Sequence, residues 1–251
     1  MEISIHAGHN PDGKIACGAV GFLKESTENR NVVKYIKKYL TSCGITVYDD
    51  TNNNATSVTD NLNKIVKNIL SHKTDLILSI HFNSGACDKF GNGVTTGAEI
   101  WVKHINEYVE DLGHSILNNI AKLGFKNRGI KQSDNLYVLN STYDTPTMLI
   151  ECCFVDDLDD AKKYNAKKMA AAISEAIINN MLCGKTLNFV TTKKGVKKRS
   201  LPTLNNKYVC SSLDKKTKIS VNNVCVVDNE VFGYNKKLEC WYCLKNVKVV
   251  K

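Results

Sequence analysis

Asp75-Leu76-Ile77-Leu78-Ser79-Ile80-His81 is apolar almost throughout and ends on an imidazole. It shows no alternation between an apolar and a polar face, as expected of a strand covered on both sides. The flanking patterns supply the cover. Before it, Val58–Leu70 sets Leu62, Ile65, Val66, Ile69 and Leu70 on one helical face. Ile45–Tyr48 reads as a strand and Asp49–Thr56 as a polar loop. Thr27–Leu40 reads as a helix carrying Val32, Val33, Ile36 and Leu40, stopped by Cys43-Gly44. Ile3–His6 is a first strand that opens into the turn Ala7-Gly8-His9-Asn10-Pro11. After it come a strand at Gly97–Val102, a helix at Ile105–Leu123, a buried strand at Thr147–Phe154 and a helix at Asp159–Met181. The order βαβαββαβα predicts an α/β domain: a mostly parallel, twisted sheet with helices on both faces. Ligands of such sheets gather at the carboxyl ends of the strands.

Beyond Gly184 the helical periodicity stops. Short β-like runs follow at Lys207–Cys210, Lys218–Val221, Val224–Val227, Val231–Tyr234 and Cys240–Leu244. This spacing predicts a small all-β barrel. The chain of 251 residues therefore reads as a domain over 1–183 and a smaller one over 184–251. Charge divides at the same place. From Gly184 onward there are fifteen Lys and Arg against four Asp and Glu; before it there are 19 against 21. A nearly neutral first part is joined to a tail that attracts polyanions. Anionic wall polymer, nucleic acid and anionic lipid all satisfy that charge.

No run reaches the ~18 apolar residues that a membrane span requires. Met1-Glu2 leads directly into the first strand, without the basic start and cleavage site of a signal peptide. Synthesis in the cytoplasm is expected, with release by another route. The ten cysteines include the adjacent pair Cys152-Cys153 in a buried strand. Their scatter favours buried, reduced thiols over a disulfide framework.

His9 follows the first strand, Glu25 immediately precedes the first helix, and His81 ends the third strand. Two imidazoles and one carboxylate are a catalytic zinc donor set that leaves a position open for water. Such a site also needs a base for the water's proton, and Glu151, on the strand Thr147–Phe154, reaches the same rim. The chain has no His-Glu-x-x-His helix. On spacing alone, a polar cap on the sheet accounts for the two histidines equally well.

Four blocks in order carry a resemblance: Gly8-His9 with Gly18-Ala19; Glu25 and Asn29; Ser79-Ile80-His81-Phe82-Asn83; and Asn127-Arg128-Gly129, Pro146 and Leu149–Val155. They resemble the zinc N-acetylmuramoyl-L-alanine amidases of the amidase-3 type, found in bacterial autolysins and phage endolysins. The resemblance covers nearly all of residues 1–183. It implies one Zn2+ held by His9, Glu25 and His81, with Glu151 as general base. The chain departs from the family at Ala7-Gly8-His9-Asn10 and at Asn61 and Asn63, where many members carry an Arg, so substrate-subsite details do not carry over. These departures resemble phage lysins of low-GC Gram-positive hosts.

Among the remaining candidates, His6 reads as a polar cap or a support for the ligands. His72, His104 and His114 read as solvated. Glu28 is a poor alternative ligand, and Asn83 reads equally as a substrate contact or a turn former. In the tail, Val196–Pro202, Leu213–Ile219 and Glu239–Tyr242 resemble an SH3-type wall-binding module. Trp241 and Tyr242 read as barrel core or as a stacking groove. Cys210, Cys225, Cys240 and Cys243 lack the paired short spacing of a four-cysteine zinc site.

The expected function is a peptidoglycan hydrolase that cuts between N-acetylmuramic acid and L-alanine, a phage endolysin released through a holin. Its partners would be peptidoglycan and anionic wall polymer, not nucleic acid, and a monomer is favoured. The alternatives are a zinc peptidase acting on stem or cross-link peptides, and a non-catalytic polyanion-binding protein.

Overall fold

The structure is a computed structural model that describes residues 1–142 and 144–250. It divides into two compact units: Met1–Lys37 with Thr46–Ile173, and Lys38–Ile45 with Ser174 onward.

The first unit is built on a six-stranded sheet. Its strands are β1 (Glu2–Ala7), β2 (Thr46–Asp49), β3 (Leu76–Asn83), β4 (Ala98–Val102), β5 (Asn127–Gln132) and β6 (Thr147–Phe154), in the spatial order β2-β1-β3-β6-β4-β5. All neighbours run parallel except β4 and β6, which are antiparallel. The central strands explain the apolar runs: Ile3, Ile5, Leu76, Leu78, Ile80, Met148, Ile150, Cys152 and Cys153 are all fully buried.

Helix α1 (Glu25–Ser42) buries Val32, Val33 and Ile36. Helix α2 (Val58–Ile69) is capped by Ser57, whose side chain accepts from Asp60 N, and buries Ile65, Val66 and Ile69. Helix α3 (Glu107–Lys122) is capped in the same way by Asn106 and buries Leu112, Ile116, Leu117 and Ile120. Short α4 (Tyr137–Ser141), α5 (Leu158–Lys163) and α6 (Ala166–Met181) follow.

Three features differ from the sequence reading. Strand β5 lies where only a motif was read, because Asn-Arg-Gly-Ile-Lys-Gln carries no apolar alternation and the strand sits at the sheet edge. The last helix breaks between α5 and α6, where Tyr164 leaves helical geometry at ψ 138°. Helix α1 begins at Glu25 itself, so this side chain sits in the first turn and does not precede it.

The second unit holds two antiparallel sheets. One has the order β10-β7-β14 (Lys218–Val221, Leu187–Thr191, Val247–Val249). The other has the order β11-β12-β13-β8-β9 (Asn223–Val227, Glu230–Asn235, Cys240–Cys243, Val196–Arg199, Val209–Leu213). Phe189, Val221 and Phe232 are fully buried, and Tyr242 joins them with its hydroxyl 3.2 Å from Cys240 Sγ. Trp241 is half-buried against Tyr234, with ring centroids 4.8 Å apart. The end of α1 and the second half of α6 belong to this unit: Tyr39 Oη lies 2.8 Å from Asn229 Oδ1, and the Asn179 side chain bonds the Val224 backbone in both directions.

All ten cysteines are free, but the expectation that they are uniformly buried fails. Cys43, Cys152, Cys153 and Cys240 are buried, whereas Cys87, Cys183 and Cys210 are exposed because they lie in a loop, in a turn and on an edge strand. No helix among the described residues is long and apolar enough to cross a membrane.

Candidate metal centre and its carboxylate neighbour

The first turn is built to hold an imidazole in an uncommon backbone conformation. His9 has φ 65°, which costs a residue with a Cβ on the order of 1 kcal/mol or more. Polar groups on both sides fix it there. Arg30 Nη2 donates to His9 O at 2.8 Å, Asn29 Nδ2 donates to Gly8 O at 2.8 Å, and Gly8 N donates to Ile80 O at 3.1 Å. Asn10, fully buried, ties the far side to Ile15 and Ala55. Gly8 has no alternative: a Cβ there would lie 2.1 Å from the His81 ring. Gly18, at φ 78°, likewise leaves room that a Cβ would take 2.5 Å from Glu25 Oε2.

The structure brings three of the sequence candidates together. Ligand-capable atoms of His9, Glu25 and His81 all lie within 4.8 Å of one another. Glu25 is the hub. Its Oε1 meets His81 Nδ1 at 2.9 Å and accepts from Phe82 N at 3.2 Å; its Oε2 meets His9 Nε2 at 3.3 Å and accepts from Ala19 N at 2.9 Å. Burial, the largest influence, pushes the Glu25 carboxyl upward. The hydrogen bonds and charge of His81 and His9 outweigh it and hold the group far below the usual carboxylate range. Glu25 is therefore an anion at neutral pH, while the imidazoles keep an open side, with side chains 31% and 17% exposed. Two nitrogens and one buried anionic oxygen converging with solvent on one side fit a metal site with three protein ligands and an open position better than a cap on the sheet.

Glu151 takes the neighbouring position. In the parallel pairing of β3 and β6 it stands opposite His81. Its Oε2 is buried and has no hydrogen-bond partner. Burial, reinforced by the charges of Glu25 and Glu99, pushes its carboxyl up to about 8. Without a metal this carboxyl mostly keeps its proton at neutral pH, the form that can give one up; a cation held beside it would favour the carboxylate, the form that takes one from water.

The other candidates separate. His6 is fully buried, and neither of its ring nitrogens has a partner. Burial, with His81 adding to it, lowers its pKa to about 3, so it is a neutral ring and not part of the ligand group. It lines a cavity of about 40 Å³ with Gly8, His9, Asn61 and His81. His72 is not simply solvated: it stacks on Tyr48 and lies 3.2 Å from Asp50. His104 and His114 are exposed, as expected. Asn83 serves a turn, accepting from Ser84 N, and also donates to Glu99 Oε1 at 3.0 Å. The four tail cysteines form no metal-binding group among the described residues.

Several residues around the site escaped the sequence reading: Glu99, Lys131, Arg30 and the acidic run Asp156–Asp160. Only Glu99 carried a signal, as a charged residue inside the otherwise apolar strand Ala98–Val102. The acidic run clamps loop 84–97 through its backbone amides. Asp156 accepts from Gly85, Ala86 and Cys87, Asp159 from Asn92 and Gly93, Asp157 from Thr96, and Asp160 from Gly97.

Comparison with known proteins bears on the family and the fold. A Clostridium perfringens protein of uncharacterised function is 35% identical over 181 residues, which is 70% of this chain and 51% of that protein. An uncharacterised cell wall amidase of Bacillus anthracis is 33% identical over 135 residues, 50% of this chain and 24% of that protein. The chain thus spans about half the length, or less, of these relatives. Among solved structures, the catalytic domain of the CD27L endolysin targeting Clostridium difficile matches with a TM-score of 0.61 and 25% identity, over 71% of this chain and 97% of that one. Cwp6 of Clostridium difficile matches with a TM-score of 0.59 and 28% identity, over 71% of this chain and 29% of that one. The family model for N-acetylmuramoyl-L-alanine amidase (Amidase_3) matches residues 3–183, and the chain belongs to that family.

Proposed function

We propose that this protein is a zinc-dependent N-acetylmuramoyl-L-alanine amidase that hydrolyses the amide between N-acetylmuramic acid and the L-alanine of the peptidoglycan stem peptide. The observation that carries the reading is the convergence of His9, Glu25 and His81 within 4.8 Å, with Glu151 in register beside His81. His9 Nε2, His81 Nδ1 and a Glu25 oxygen would hold the ion, which when bound supplies Lewis-acid polarisation of the scissile carbonyl and acidifies water. Glu151 takes the proton of the attacking water and delivers it to the departing amine nitrogen, so the base of one step is the acid of the next. Arg30, Asn29 and Gly8 fix the backbone that carries His9, and the amides of Ala19 and Phe82 hold the Glu25 carboxylate.

In the same reading, residues 1–183 are the catalytic domain and 184–251 an SH3-like module whose lysines bind anionic wall polymer. The +11 charge of that segment and its half-buried Tyr234–Trp241 ring pair support this role. The protein would act as a phage endolysin, made in the cytoplasm of a low-GC Gram-positive host and reaching the wall through a holin.

Clearing of Gram-positive cell walls tests the reading. The wild type should clear them, chelator should stop clearing and zinc restore it, and Glu151→Gln should bind zinc yet clear nothing. A fully active Glu151→Gln protein would refute the assignment of the base.

A further inference from the structure

On the same face of the sheet as His81 and Glu151, the next strand places Glu99, only 2% exposed and opposite Glu151 in the β4–β6 pairing. Its Oε1 accepts from Asn83 Nδ2 and Trp101 Nε1, each at 3.0 Å. Its Oε2 takes two cations, Arg128 Nε and Lys131 Nζ, each at 2.6 Å. One cation would neutralise this carboxylate, so the second leaves a surplus positive charge. Because both lie on one oxygen, the two heads are no more than about 5 Å apart and repel each other. Neither is loose: Arg128 stacks over Phe154 at 4.9 Å and Lys131 over Trp101 at 5.1 Å. Both still reach solvent, with side chains 28% and 34% exposed. The fold thus spends a buried carboxylate and two aromatic rings to hold two cations on Glu99, one strand beyond the strand of Glu151.

We propose that Arg128 and Lys131 form a subsite that reads carboxylates on the peptide side of the scissile amide, favouring stem peptides with free carboxylates over their carboxamides. The inference rests on the amidase reading and adds the substrate class it selects. The spacing fits. Strands lie ~4.8 Å apart, so the three steps from His81 through Glu151 and Glu99 to Arg128 cover roughly 14 Å. An extended peptide advances about 3.3–3.6 Å per residue, which puts carboxylates two to four residues from the cleaved bond within reach. The ammonium of Lys131 has three donors, of which Glu99 occupies one, so it can bond an incoming carboxylate without releasing its anchor.

The test uses two soluble muramyl peptides identical except that their carboxylates are free in one and amidated in the other. The full-length zinc-loaded wild type should show a KM roughly ten-fold lower for the free acid, the worth of one charged hydrogen bond, with kcat within about two-fold. Lys131→Met should bring the two KM values together, and Lys131→Arg should keep them apart. Calorimetric binding of both peptides to Glu151→Gln, and to the double variant that adds Lys131→Met, should follow the same ratios. Equal KM and equal binding for the two peptides, or a preference that survives Lys131→Met, overturns the subsite. If the wild type cleaves neither peptide, the amidase reading fails instead, and the binding measurements still decide whether the pair reads carboxylates.

Discussion

Glu151→Gln has a consequence for stability that can be measured without any substrate. In the metal-free protein, burial and the charges of Glu25 and Glu99 hold the Glu151 carboxyl at about 8, against an ordinary value of 4.5. Below pH 4.5 the group is protonated in both the folded and the unfolded chain and contributes no pH dependence. Between pH 4.5 and 8 the unfolded chain gives up the proton and the folded chain keeps it, which favours unfolding more strongly as pH rises. At about 1.4 kcal/mol per pH unit, the accumulated penalty by about pH 8 is on the order of 4 kcal/mol. Glutamine keeps the shape and cannot ionise. The difference in unfolding free energy between Glu151→Gln and the wild type, by urea titration in chelator, should therefore grow in favour of the variant from about pH 5 to about pH 8 by a few kcal/mol. Added zinc should shrink it, since a nearby cation stabilises the carboxylate. A difference that does not change with pH would refute the argument that Glu151 is held protonated by its surroundings.

Other outcomes follow from single contacts. Gly8→Ala places a methyl group 2.1 Å from the His81 ring and should cut zinc affinity at least ~100-fold, measured by competition with a chromophoric chelator. Asp156→Asn removes the charge behind three backbone hydrogen bonds and should cost about 1–3 kcal/mol, with loop 84–97 becoming the first site of proteolysis. The Asp156 carboxyl is held below its ordinary range: burial pushes it up, but the amides of Cys87, Gly85 and Ala86 prevail. Its contribution is present above about pH 4 and lost as pH falls through the depressed value, so protease resistance of this loop in the wild type should decline under acid. Asn29→Ala leaves Gly8 O without its closest side-chain donor and should weaken zinc binding while the fold stays cooperative by circular dichroism.

The central strands were legible because burial on both faces writes itself as uninterrupted apolar sequence, as at Leu76–Ile80 and Met148–Ile150. His9 lies just past β1, as the strand limit indicates, whereas His81 and Glu151 sit inside β3 and β6, which run on to Asn83 and Phe154. Glu25, which the structure brings to His9 and His81, was placed outside the helix that carries it, since Ala19 O, which anchors its backbone N–H, lies in a loop with no periodicity to read. Strand β5 was illegible for the opposite reason to β3: an edge strand of polar residues has no periodic signal, and only its pairing with β4 defines it. The Glu99–Arg128–Lys131 cluster needed the register itself, because residues about thirty positions apart meet only once β4 and β5 lie side by side. Charge and texture place a break near Gly184, whereas compactness groups the end of α1 and the second half of α6 with the tail through side chains such as Tyr39 and Asn179.

Mass analysis of purified Gram-positive peptidoglycan digested by the zinc-loaded protein tests the central claim most directly. The account predicts stem peptides released with a free L-alanine amino terminus and glycan strands bearing bare lactyl groups. Cuts within the stem or cross-link peptides, with every muramyl–alanine bond intact, would contradict it.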